Sequence, residues 1–98
     1  MNYVQGFVTP VPTANLEKYL EQATKAVPFF RQFGVRRVVE VWGDDVPKGK
    51  VTDFHGALKA GDHETVVFSW MEYPDKKMPF DGQRMFWGGF TPIVDRGR

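Results

Sequence analysis

The sequence predicts a small α+β domain in which one amphipathic helix packs on a four-stranded sheet. Strand-sized runs of β-branched and aromatic residues occur at four places, and one stretch has helical periodicity. The hydrophobic content of 42% is that of a globular protein. A chain of 98 residues forms one domain, so a single domain is expected over residues 1–98.

The first half of the chain predicts a strand followed by a helix. Tyr3–Val11 is rich in β-branched and aromatic residues and is closed by Pro10 and Pro12, which is typical of a strand. Thr13 or Asn15 can then cap a helix. Apolar residues recur after this cap at three- and four-residue spacing and form one stripe: Leu16, Tyr19, Leu20, Ala23, Val27, Phe30 and Phe33.

Pro28 lies within this helix and is expected to bend it, because proline removes a backbone donor. Gly34 is placed to end it in a left-handed conformation. Arg36–Trp42 predicts a second strand. Val51–Ala60 fits either a short helical turn or an irregular edge segment.

Two further strands are predicted at Glu64–Tyr73 and at Arg84–Phe90, where Gly88 and Gly89 indicate a bulge or a close backbone approach. The order is therefore β-α-β-β-β. A second helix before the last strand would complete a ferredoxin-like β-α-β-β-α-β unit, so the order suggests a ferredoxin-like half that lacks this helix.

Composition excludes several classes of function. Thirteen basic residues against twelve acidic ones give a net charge of +1, which argues against nucleic-acid binding. The chain has no cysteine, so disulfides, thiolate metal ligands and cysteine nucleophiles are excluded. Its apolar runs are too short to span a membrane, and its first residues lack the features of a signal peptide. We expect a cytoplasmic protein without membrane partners.

Strand alternation sorts the side chains into two faces. In the first strand Val4, Gly6 and Val8 are small and suit packing beneath the helix. The alternate residues are then expected on the opposite face, toward a partner sheet: Tyr3, Gln5, Phe7 and Thr9. In the second strand the same reasoning places Val39 and Val41 under the helix, and three residues opposite: Val38, Glu40 and Trp42.

Glu40 is the main candidate for chemistry, because a carboxylate between two valines needs a partner, a raised pKa or nearby water. It is interpreted either as a general base or ligand acceptor, or as an interface ion-pair partner of Arg84 or Arg37. The candidate ligand-binding residues are Tyr3, Gln5, Glu40, Trp42 and Arg84. Arg84 either pairs with a carboxylate of the protein or clamps an anionic substrate. Three tryptophans either line a pocket for a flat apolar ligand or, as is favoured, fill the core and a dimer interface: Trp42, Trp70 and Trp87.

The remaining polar residues are interpreted as structural. Asp44 and Asp45 are too few for a calcium loop and suit a turn. His55 has Asp53 as a possible partner, but no nucleophile accompanies the pair, and a surface position is favoured. His63 is interpreted as a turn residue. Neither a metal site nor a cofactor is expected.

Several motifs occur in a specific order along nearly the whole chain. They are Gly6-Phe7-Val8 with Pro10-Val11-Pro12, the stretch from Gly43 to Phe54, Val67-Phe68-Ser69-Trp70 with Glu72-Tyr73-Pro74, and the stretch from Met78 to Phe90. On these motifs the chain closely resembles the YbaA-like family of bacterial domains of unknown function. The resemblance implies a place in the dimeric α/β-barrel superfamily, in which two ferredoxin-like protomers join their sheets.

Members of that superfamily include cofactor-free monooxygenases, haem-binding enzymes, stress proteins and ligand sensors, so the resemblance implies a fold and leaves the activity open. It also implies a second helix of about twenty residues after the Tyr-Pro motif. Here only three residues separate Pro74 from Met78. Without this helix, the link from the third strand to the fourth would have to cover about 28 Å. Because Pro74–Arg84 fully extended spans at most about 36–40 Å, such a link is just long enough. The helix is therefore either deleted from the protein or missing from this sequence.

Together these observations predict a homodimer that binds a small molecule in a cavity on the open sheet face. One helix cannot cover both faces of the sheet, so the aromatic residues of the second face need a partner. One alternative is a cofactor-independent oxygenase or isomerase that uses Glu40 with Trp42 and Tyr3. Another is a structural or regulatory interaction module without a ligand.

Overall fold

The computed structural model describes residues 3–76 and 86–97, and only the backbone of residue 86. Its elements are, in chain order, β1 (Tyr3–Pro12), a 3-10 turn (Thr13–Asn15), α1 (Leu16–Gln32), β2 (Arg37–Trp42), α2 (Phe54–Leu58), β3 (Glu64–Tyr73) and β4 (Phe86–Phe90). The predicted α+β class is confirmed. The segment that the sequence left ambiguous contains a short helix.

The four strands form one sheet in the order β2-β3-β1-β4, and all neighbouring strands are antiparallel. Gly6 marks the middle of the sheet, because it lies opposite Trp70 of β3 on one side and Gly88 of β4 on the other. Since β3 and β4 both run antiparallel to β1, they run parallel to each other on its two sides.

The local signals for α1 are mostly in place. Asn15 occupies the N-cap position, although its side chain makes no capping hydrogen bond. Pro28 lies within the helix. Gly34 follows the end of the helix with a φ of 93°, a left-handed conformation that glycine adopts without strain, as predicted.

The loop before α2 is organised by Asp53. Its carboxylate caps the helix by accepting the backbone N–H of Gly56, and it also accepts the N–H of Gly49. Lys59 ends the helix in a left-handed conformation, with a φ of 52°. These bonds fix the loop that connects β2 to β3.

The core lies between α1 and one face of the sheet. Its buried cluster is formed by Phe7, Val35, Met71 and Tyr73, and Tyr3, Phe30 and Val38 pack against it. The predicted assignment of faces is therefore wrong. Tyr3, Gln5 and Phe7 face α1, as do Val38, Glu40 and Trp42, whereas Val4, Gly6 and Val8 lie on the face away from the helix. Large side chains fill the layer between helix and sheet, where small ones would leave voids.

Part of the predicted fourth strand and the Asp81-Gly82 turn lie outside the described residues, as does the link between Pro74 and Met78. No helix among residues 3–76 and 86–97 is long and apolar enough to cross a membrane.

Candidate functional site

The sheet face away from α1 (the open face) is apolar and carries exposed aromatic rings. The strand registers bring Val4, Gly6 and Val8 of β1 beside Phe68 and Trp70 of β3 and beside Gly88 and Phe90 of β4. Phe68 is 46% exposed and Phe90 is 59% exposed. Apolar surface of this kind on a soluble domain typically marks an interaction or ligand-binding site.

A groove of about 920 Å³ runs across the open face. Its principal lining residues are Val4, Gly6, Val8, Phe68, Trp70 and Phe90. Within the described part of the chain, only valine, glycine, phenylalanine and tryptophan line it. The described lining therefore suits the apolar part of a molecule and offers no side chain for acid–base chemistry.

Glycines shape this groove. A Cβ atom added to Gly6 would lie 3.2 Å from Cε2 of Phe90, and one added to Gly88 would lie 3.5 Å from the same ring. The Phe90 ring thus lies over both glycines. Gly89 projects toward the opposite face, where a Cβ would collide with the Tyr3 ring. The bulge or close backbone approach predicted for Gly88 and Gly89 is wrong, because both residues pair regularly with β1 and the groups that approach them are the side chains of Phe90 and Tyr3.

Two charged side chains, Glu72 and Arg37, border the groove beside Trp70. The indole Nε1–H of Trp70 donates to Oε2 of Glu72 at 3.1 Å, and Nη1 of Arg37 donates to the same oxygen at 3.3 Å. Arg37 is largely exposed, so the ion pair adds little stability. The hydrogen bond from Trp70 to Glu72 has a larger effect on geometry, because it fixes the orientation of the Trp70 ring. The centroid of this ring lies 6.0 Å from that of the Phe68 ring.

A second candidate site lies on the opposite face, where α1 crosses β2. The Tyr19 hydroxyl donates to Oε1 of Glu40 at 2.5 Å, and the Tyr19 ring lies 6.4 Å from the Trp42 ring between centroids. These three residues border a cavity of about 100 Å³. Because a water molecule occupies roughly 30 Å³, the cavity has the volume of a few waters and does not fit an aromatic substrate.

Partial burial against α1 raises the pKa of Glu40, although the residue as a whole remains exposed, and the hydrogen bond from Tyr19 opposes that rise. Burial also raises the pKa of Tyr19, and its bond to the Glu40 carboxylate raises it further. The pair therefore consists of a carboxylate that resists ionisation and a phenol that stays protonated.

The predicted site residues do not form one site. Glu40 and Trp42 lie together beside Tyr19. Gln5 is fully buried and accepts a hydrogen bond from the Tyr73 hydroxyl at 2.7 Å, and burial raises the pKa of Tyr73 to about 12. Tyr3 packs against the core. Arg84 lies outside the described residues.

Within the chain Arg37 pairs with Glu72, and the interface ion pair considered for Glu40 stays a prediction. His55 binds the Val46 carbonyl oxygen through Nε2 at 2.9 Å and so fixes the loop. Backbone hydrogen bonds from Gly56 and Gly49 lower the pKa of Asp53. Residues 3–76 and 86–97 contain no group of three or more His, Cys, Asp or Glu placed to hold a metal ion.

Sequence reasoning missed Tyr19 and Phe68 as site residues, whereas it offers Trp70 as a wall of a pocket for a flat apolar ligand. Tyr19 was treated as part of an apolar stripe. Its signal was available, because a tyrosine on a packed helix face usually finds a hydrogen-bond partner for its hydroxyl. Phe68 and Trp70 alternate along a strand, and that spacing places both on one face.

Comparison with known proteins places the chain in a family. The family model described as "Protein of unknown function (DUF1428)" matches residues 2–84. The proteins described as "Uncharacterized protein YbaA" from Escherichia coli K12 and from Shigella flexneri are both 47% identical to the chain, over 97% of this chain and 99% of their own length.

These alignments extend over 116 positions, and the chain has 98 residues. At least 18 positions (116 less 98) therefore have no residue in this chain. This number is close to the size of the second helix that the resemblance implied. With a family match over most of its length and close relatives along nearly all of it, the chain belongs to the YbaA-like (DUF1428) family of proteins of unknown function.

Proposed function

We propose that this protein is a cytoplasmic homodimer that binds a small, flat, apolar molecule on the open face of its sheet. Each protomer is a ferredoxin-like half of a dimeric α/β barrel in this proposal. A second copy covers the face, and the groove that remains between the two sheets is the binding site. The observation that carries the proposal is the apolar groove of about 920 Å³ on a face that the helices leave uncovered.

The strand order supports the ferredoxin-like assignment. The order β2-β3-β1-β4, with β1 in the middle and α1 connecting β1 to β2, is the arrangement of a β-α-β-β-α-β unit without its second helix. In such a unit one face carries the helices and the other remains free to pack on a second sheet.

A second copy is the occupant that best matches the open face. The face is apolar in the middle, and its bordering charges, Arg37 and Glu72, already neutralise each other. A symmetric dimer places the same surface on both sides of the interface, so an apolar surface bordered by this ion pair is complementary to itself.

Two glycines favour a cavity within this dimer. Stacked sheets lie about 10 Å apart, and side chains from both sheets fill the space between them. Gly6 and Gly88 contribute no side chain to the middle of the open face. The remaining space is bordered by Phe68, Trp70 and Phe90, so it suits a ring system that stacks on aromatic side chains.

The proposal is tested by titrating the protein with naphthalene, a neutral fluorescent aromatic probe. Native mass spectrometry of the same mixtures records the mass of the complex. We expect saturable binding to a dimer, with an affinity at least tenfold lower in Trp70→Ala. Val51→Ala is the matched control, because Val51 is 98% exposed and lies outside the groove.

A dimer that binds no probe would favour the interaction module and would contradict the ligand-binding part of the proposal. A monomer that binds the probe would contradict the dimer. Unchanged affinity in Trp70→Ala would place the ligand elsewhere.

A further inference from the structure

We propose a second binding site, for the ammonium group of a small amine, where α1 crosses β2. Its residues are Glu40, Tyr19 and Trp42, and Ser69 is the cross-strand neighbour of Glu40. The site lies on the helix-covered face of the sheet, so it is independent of the open-face groove and of the function proposed for it.

The first argument is that Glu40 has no cationic partner in the part of the chain that the structure describes. Its carboxylate lies against α1 and receives a hydrogen bond from the neutral Tyr19 hydroxyl. Among the described residues no Lys, Arg or His forms an ion pair with it. A carboxylate that is partly removed from water without a cation is costly, and a bound cation would offset that cost.

The second argument is Ser69. It lies directly across from Glu40 in the β2–β3 register, so the two side chains share one face and are close neighbours. Ser69 is only 6% exposed, yet its hydroxyl has no hydrogen-bond partner in residues 3–76 or 86–97. No fully enclosed side-chain oxygen or nitrogen is left unsatisfied there. The Ser69 hydroxyl is therefore not fully enclosed, and Ser69 adjoins the site through its register position across from Glu40, outside the wall of the cavity described next.

The third argument is the space itself and its walls. Glu40, Tyr19 and Trp42 border the cavity of about 100 Å³, and the remaining wall includes Leu16, Leu20 and Val67. The two aromatic rings provide the electron-rich surfaces that attract organic cations. The volume fits ammonium or methylammonium and excludes larger ions unless they extend outward.

The donor set selects the class of cation. A single carboxylate with neutral hydroxyls balances one positive charge, and a divalent metal ion would need more charged ligands than the described residues supply. An ammonium group carries N–H donors for the Glu40 carboxylate, and its charge interacts favourably with the rings of Tyr19 and Trp42.

Methylammonium chloride is the probe that tests this site, with sodium chloride at equal concentration as the salt control. In ¹H–¹⁵N correlation spectra of the whole protein we expect saturable shifts centred on the Trp42 indole and the amides of Tyr19, Glu40 and Ser69. Tetramethylammonium, which is larger and has no N–H donor, should give no such shifts.

Glu40→Gln should weaken methylammonium binding at least tenfold, and Ser69→Ala should weaken it less. Glu17→Gln is the control for the loss of one carboxylate, because Glu17 lies on α1 outside this cavity, and its variant should bind as the wild type does. If Glu40→Gln fails to fold, the wild-type shift map decides the question.

Equal shifts with sodium chloride, shifts centred on other residues, or unchanged binding by a folded Glu40→Gln variant would each overturn the proposal. Loss of aromatic-probe binding on the open face would not affect it, so the two proposals fail independently.

Discussion

The two faces of this sheet are built from the same strands and have opposite exposure. On the helix-covered face, Phe7 is 6% exposed and Tyr73 is 1% exposed. On the open face, Phe68 is 46% exposed and Phe90 is 59% exposed. Both faces are aromatic, so composition does not distinguish them. What differs is the presence of α1, and the comparison teaches that one face maintains the protomer's fold while the other is available for recognition.

The largest expected effect separates these roles with a matched pair of phenylalanines. Phe7→Ala should lower the free energy of unfolding by about 3–5 kcal/mol, because it leaves a cavity in the core. Phe68→Ala should lower the stability of the protomer by less than half of that, since its ring is half exposed. Urea unfolding at several protein concentrations measures both.

For Phe7→Ala the loss should be the same at every concentration, whereas for Phe68→Ala it should depend on concentration, because association contributes to apparent stability. Equal and concentration-independent losses would show that the two faces do not differ in role.

A charge on the open face should break association without unfolding the protomer. Phe68→Lys should weaken dimerisation at least about a hundredfold, which corresponds to about 3 kcal/mol. The physical reason is that the dimer would bury the lysine at position 68 without an oppositely charged partner. Val51→Lys is the control, because Val51 is 98% exposed and lies outside the groove. Analytical ultracentrifugation measures the dissociation constants, and an unchanged value for Phe68→Lys would contradict the proposed interface.

Tyr73→Phe tests the polar part of the helix-covered face. The Tyr73 hydroxyl donates to Gln5, which is fully buried, so removing the donor leaves a buried acceptor less satisfied. We expect a loss of about 1–3 kcal/mol. Tyr3→Phe is the control, because Tyr3 packs at the edge of the same cluster and is not fully buried. Thermal unfolding compares the two variants, and equal stabilities would mean that the buried bond contributes nothing.

The smallest effect concerns pH. Burial raises the pKa of Glu40 above its ordinary value of 4.5, so the folded state holds this proton more tightly than the unfolded state. Its contribution to stability is fully present below pH 4.5 and is lost as the pH rises through the folded-state pKa. Asp53 acts in the opposite direction, because its lowered pKa stabilises the fold above the ordinary value of 3.8 and that contribution is lost on acidification.

Glu40→Gln therefore isolates the first contribution. In this variant the loss of stability between pH 4.5 and neutrality should be smaller than in the wild type. The loss of stability on acidification, which depends on Asp53, should remain. Chemical unfolding across this pH range provides the measurement. Identical pH profiles would show that Glu40 has the same pKa in the folded and unfolded states.

Much of the fold was predictable because its signals are local. Periodic apolar residues predict α1, and the run from Glu64 to Tyr73 predicts β3 with its observed ends. The helix that begins after Asp53 was left open because it has only five residues, too few for a periodic pattern.

The direction of each face was not predictable from side-chain size. Alternation divides Tyr3 and Phe7 from Val4 and Val8, but it does not tell which set meets the helix. The rule that small residues lie under the helix failed, because the space between α1 and the sheet is filled by large side chains such as Phe7 and Met71. The bond from Tyr19 to Glu40 was missed for the same reason, since it depends on which face α1 covers.

The central claim, that the open face is covered by a second copy, is tested most directly by sedimentation equilibrium of the wild-type protein at micromolar concentration. The account predicts a mass twice that of the 11.3 kDa chain, which returns to a single chain's mass in Phe68→Lys. A wild-type protein that sediments as one chain, with the rings of Phe68 and Phe90 in water, would contradict it.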